Sequence, residues 1–71
     1  MAELLATEIR PGVFDLECLV GCEGTEVVTD GVEGVVRKAA EHLGIEVIDV
    51  DQARDYLAGT EQLKIVRMEE T

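Results

Sequence analysis

Seventy-one residues make one domain, 1–71, and a 46% apolar fraction marks it as globular rather than disordered. Sixteen Asp and Glu against six Lys and Arg leave a net charge of −10, a surface that repels nucleic acid and anionic membranes and attracts basic partners. No run approaches the ~18 apolar residues of a membrane span. Met1–Leu5 lacks the basic region and apolar run of a secretion signal. Two cysteines are too few for a disulfide framework, and a cytoplasmic protein is expected.

In chain order, Leu4 to Ile9 reads as a strand. Arg10-Pro11-Gly12-Val13 suits a tight turn, with Pro second and Gly third. Val13 to Val20 reads as a second strand, Gly21-Cys22-Glu23-Gly24 as a turn, and Thr25 to Thr29 as a short third strand. Asp30 suits a helix N-cap, with Glu33 as its reciprocal partner. Val32, Val35, Val36, Ala39 and Leu43 then share one helical stripe, and Gly44 is the natural C-cap. Ile45 to Val50 is β-branched with apolar residues on both faces, which predicts a central strand. Asp49 or Asp51 can cap a short helix carrying Ala53, Tyr56 and Leu57, stopped at Gly59. Leu63 to Met68 reads as a last strand, with residues 68–71 as a flexible tail. The expected fold is a small two-layer α+β domain. Its order is β-β-(β)-α-β-α-β, with a mostly antiparallel sheet of 4–5 strands and helices on one face. A crossover from Ile45–Val50 to Leu63–Met68 would make one parallel pair. With Phe14 and Tyr56 the only aromatics, the core must be aliphatic.

A two-residue loop at Pro11-Gly12 sets a hairpin register. Arg10 then faces Val13, Ile9 faces Phe14 and Glu8 faces Asp15. One face carries Leu5, Thr7, Ile9, Phe14, Leu16 and Cys18 and is the expected core face. The other carries Leu4, Ala6, Glu8, Asp15, Glu17 and Leu19. Glu8 opposite Asp15 is a like-charge pair that costs something on the order of 0.2–1 kcal/mol. Such local conflict tends to sit at functional surfaces. Simple solvation of an exposed face is the plainer explanation, since salt screens the repulsion.

Cys18 and Cys22 stand at a C-x3-C spacing, whereas zinc and redox motifs favour C-x2-C with a second ligand pair. His42 is the one further soft ligand, and Glu17 or Glu23 could complete a site. If residues 18–22 stay extended, the two Cα atoms lie about 13 Å apart, beyond disulfide reach; a turn at Gly21 shortens this. The plainer reading makes Cys18 a small core residue and Cys22 a loop thiol. His42 lies near the expected helix end, where the dipole favours a solvated cation. The chain has no Ser and no Gly-Lys-Ser/Thr phosphate loop, so serine nucleophiles and P-loop chemistry are excluded.

No residue pattern here carries a family signature. In size and acidity alone the chain resembles small phage-encoded inhibitors that occupy nucleic-acid sites on other proteins. The expected function is a non-enzymatic acidic binding module, a regulator or inhibitor. It would present Glu8, Asp15, Glu17 and Glu26 to a basic protein surface, such as that of a nucleic-acid-binding protein. No direct nucleic-acid or membrane contact and no cofactor are expected, and an edge strand offers a route to a homodimer. One alternative is a small metal or redox carrier using Cys18 and Cys22. Another is a haloadapted domain, which the scarcity of Lys favours and the excess of Glu over Asp opposes.

Overall fold

The computed structural model of the chain describes residues 3–19 and 24–68. Three strands come first: β1 (Leu4–Arg10), β2 (Val13–Cys18) and β3 (Thr25–Val28). Two helices follow, α1 (Gly31–Leu43) and α2 (Val50–Gly59), and then β4 (Leu63–Val66). The strands form one four-stranded mixed sheet in the order β3-β2-β1-β4. The β1–β2 and β2–β3 pairs are antiparallel, and β4 runs parallel to β1. Leu4, Ala6, Phe14, Leu16, Val28 and Leu63 on one sheet face pack with Val35, Val36 and Ala39 of α1 and Leu57 of α2. This is the two-layer α+β architecture expected from the sequence. Each fully buried side chain of Phe14, Leu4 or Leu57 size contributes roughly 1.5–3 kcal/mol.

The expected strand at Ile45–Val50 does not form. Residues 45–49 are neither helix nor strand, and Val50 opens α2. Two capping events consume the segment from both ends. Gly44 adopts the left-handed conformation that closes α1, and the Ile45 N–H donates back to the Ala40 carbonyl at 2.9 Å. Asp49 Oδ1 accepts the N–H groups of Asp51 and Gln52 at 2.9 and 3.3 Å, starting α2. Capping at both ends therefore overrides β-branched propensity, and β4, not this segment, takes the place beside β1.

The hairpin register also differs from the expected one, and by a single residue. Arg10 does face Val13, but a bulge at Ile9 shifts every later pair: Glu8 faces Phe14, Thr7 faces Asp15, Ala6 faces Leu16, Leu5 faces Glu17 and Leu4 faces Cys18. One extra residue flips all the side chains of one strand. β2 keeps its expected core residues, Phe14 and Leu16, while β1 turns Leu4 and Ala6 inward instead of Leu5 and Thr7. The repulsive Glu8–Asp15 pair does not exist.

In α1 the buried stripe runs as predicted through Val35, Val36 and Ala39, flanked by Val32 and Leu43. Asp30 stands at the N-cap position, but its side chain makes no capping bond. Instead the Gly31 N–H donates to the Gly12 carbonyl at 3.0 Å, tying the helix start to the hairpin turn. Gly34 lets α1 lie close to β3: a Cβ there would sit 2.6 Å from Asp30 Cβ and 2.9 Å from Val28 Cγ1. β4 ends at Val66, short of the expected Met68, because the Met68 N–H leaves the ladder to bond Glu8. Met68 is thus anchored rather than part of a tail.

Candidate functional site

The helices cover one face of the sheet and leave the other open. On that open face alternation places Leu5 and Thr7 of β1, Asp15 and Glu17 of β2, Val27 of β3, and Lys64 and Val66 of β4, all exposed or half-buried. Asp15 lies between Thr7 and Val27, and Glu17 between Leu5 and Thr25. Two residues along one strand, their Cα atoms are about 7 Å apart. Among the described residues neither carboxylate has an ion-pair partner. Beside them Val27 is 60% exposed, an apolar side chain with no role in the core. The arrangement is a pair of charges on a central strand, set among apolar and hydroxyl neighbours.

The other two carboxylates of the expected patch lie on the helix-covered side. Glu8 is only 9% exposed. Its Oε2 accepts the Gly12 N–H at 3.1 Å, and its Oε1 accepts the Met68 N–H at 2.9 Å and Arg67 Nε at 3.2 Å. The backbone donors Met68 and Gly12 lower its pKa most, and Arg67 adds to them; burial opposes. The Arg67 guanidinium also lies over the Phe14 ring, 5.7 Å from its centroid. Glu8 therefore joins the hairpin turn to the residues after β4. A carboxylate held by three donors is not available to a partner.

Glu26 faces α1 from the edge strand β3. Its Oε1 lies 3.2 Å from Lys38 Nζ and its Oε2 lies 3.6 Å from His42 Nε2. Lys38 lowers the Glu26 pKa by hydrogen bonding and by charge, with burial opposing and His42 adding a smaller effect. Glu26 in return raises the Lys38 pKa, and Glu41 helps. The group flanks a cavity of about 290 Å³ lined by Leu4, Leu16, Cys18, Thr25, Glu26 and His42. Lys38 and His42 are one helical turn apart on α1, but Glu26 lies on another element. The three become a cluster only because α1 folds back along β3, so sequence reading treated His42 as a solvated helix end.

Cys18, expected from the sequence as a small core residue, is disulfide-bonded. Cys22 is the other cysteine of the chain and lies outside the described residues. The expected Cys18–Cys22 separation of about 13 Å therefore falls outside the described residues. Metal binding needs a thiolate, so the metal reading requires reduction first. Among the described residues no three His, Cys, Asp or Glu side chains cluster as metal ligands, and no helix is long and apolar enough to cross a membrane. No protein-family model matches the chain, and no curated protein or solved structure is significantly similar to it.

Proposed function

We propose that this protein is a non-enzymatic binding module that presents Asp15 and Glu17, on the open face of its sheet, to a basic protein surface. The observation that carries the reading is the condition of those two carboxylates. They stand without ion-pair partners among the described residues, on a central strand, next to exposed Val27. Carboxylates that serve the fold here are engaged, as Glu8 and Glu26 are. A net charge of −10 adds long-range attraction for a basic partner, such as the nucleic-acid-binding site of another protein.

The test is affinity capture from the native cell at low salt, read by mass spectrometry and repeated with charge-reversal variants. Wild type and Glu33→Lys/Glu41→Lys, which makes the same change in net charge on exposed positions of α1, should retain one basic protein that Asp15→Lys/Glu17→Lys loses. Equal loss in all variants would point to undirected acidity, as in a haloadapted domain.

A further inference from the structure

Ile45-Glu46-Val47-Ile48-Asp49-Val50 is the most strand-like hexapeptide of the chain, yet it pairs with no strand. Ile48 is 90% exposed, so its apolar side chain serves no packing purpose in the fold. Tyr56 on α2 is exposed over more than half of its surface. Between them lies a groove of about 270 Å³, lined by Ile45, Glu46, Ile48, Asp49, Ala53 and Tyr56. Among the described residues, the backbone N–H groups of residues 46–49 donate to no backbone carbonyl. The groove has two carboxylates and no basic residue in its lining. Arg54, the nearby cation on α2, is turned to Asp51 and Asp55, at 3.8 and 4.0 Å.

We infer that this groove docks an extended segment of a partner protein in which basic residues alternate with an apolar anchor. The anchor fills the space between Ile48 and Tyr56. The segment's backbone pairs with an unpaired amide of Glu46 or Val47, before the chain bends at Ile48, and its flanking Lys or Arg side chains meet Glu46 and Asp49. Charge complementarity selects this occupant. A second copy of the chain brings another −10 and the same two carboxylates, and like charges set against each other oppose docking. The groove is formed by α2 and the segment before it, so the inference is independent of the open sheet face.

The probe is a synthetic heptapeptide of alternating Lys and Val with Ile at its centre, capped at both ends, titrated into the 15N-labelled protein. Amide shifts should gather at residues 45–56. Ile48→Ala should weaken binding about tenfold or more, as loss of a central anchor does. Glu46→Lys should weaken it less and flatten its salt dependence. Replacing alternate backbone amides of the peptide by esters should also weaken binding, because ester carbonyls are poorer acceptors for the unpaired N–H groups. Ile48 is so exposed that Ile48→Ala should keep the wild-type circular dichroism spectrum. Three results would overturn the inference: unchanged affinity in Ile48→Ala, shifts centred on Asp15 and Val27 instead, or self-association of the unliganded protein through Ile48.

Discussion

The two faces of the β1–β2 hairpin carry the same kind of residue in opposite circumstances. Glu8 and Asp15 are one register step apart on neighbouring strands. Glu8 turns toward the helices, is nearly buried and is held by three donors. Asp15 turns outward, with Thr7 and Val27 as its cross-strand neighbours. A carboxylate under the sheet must be bonded, because burial without donors is costly. One above the sheet is solvated and remains available for binding. The difference separates acidity that builds this fold from acidity that a partner can use.

The largest test of that division is to truncate each face in turn. Leu16→Ala, in the core face, should lose roughly 2–5 kcal/mol in denaturant unfolding, and Val27→Ala, on the open face, no more than about 0.5. Gly34→Ala comes next. Its methyl would press on Asp30 Cβ and Val28 Cγ1, and overpacking of that kind costs about 1–3 kcal/mol, offset in part by ~1 kcal/mol of helix propensity. Similar losses for Leu16→Ala and Val27→Ala would mean that the open face is not open.

The single-residue slip explains how much of this was legible from sequence. The α1 stripe was readable because it is local: five apolar residues at helical spacing between Asp30 and Gly44 leave little choice of face. β2 was readable as well, since Phe14 and Leu16 alternate with Asp15 and Glu17. β1 was not, because Leu4, Leu5 and Ala6 are all apolar and suit either face. What decides the face is a bulge at Ile9 and donors at Arg67 and Met68, some sixty residues away, which no local pattern encodes. Asp15 and Glu17 were correctly read as outward. Glu8 was expected on the wrong face, and the contacts of Glu26 with Lys38 and His42 were not legible, because these partners are distant in sequence.

Glu8 also ties the division to pH. Its pKa is lowered in the fold from an ordinary 4.5, so the unfolded chain binds the proton more readily. Its stabilising contribution is complete above the unfolded pKa and disappears as pH falls through the lowered folded value. Glu26 acts in the same direction. Stability measured from pH 6 downward should therefore begin to fall near pH 4.5, and Glu8→Gln should both lower the plateau and shallow the slope. Lys38 has the opposite sign. Raised above 10.5, it contributes below that pH and loses its contribution as pH rises through the folded value. An acid limb identical in Glu8→Gln and wild type would mean that Glu8 is not the latch described.

The smallest effect on stability is the most informative about function. Were Asp15 opposite Glu8, Asp15→Lys would relieve a repulsion and stabilise the domain. With Thr7 and Val27 as the true neighbours, no such relief exists, and the change in unfolding free energy should stay within about 0.5 kcal/mol. Binding is a separate matter. If Asp15 and Glu17 meet a basic partner, Asp15→Lys should slow association, and adding salt should narrow its gap from wild type. The same reversal at Glu33, on the far layer of the molecule, changes the net charge equally and should slow association much less. Comparing the two variants at matched charge separates a directed contact from a diffuse field. Equal association rates for Asp15→Lys and Glu33→Lys at low salt would remove the open face from the binding surface.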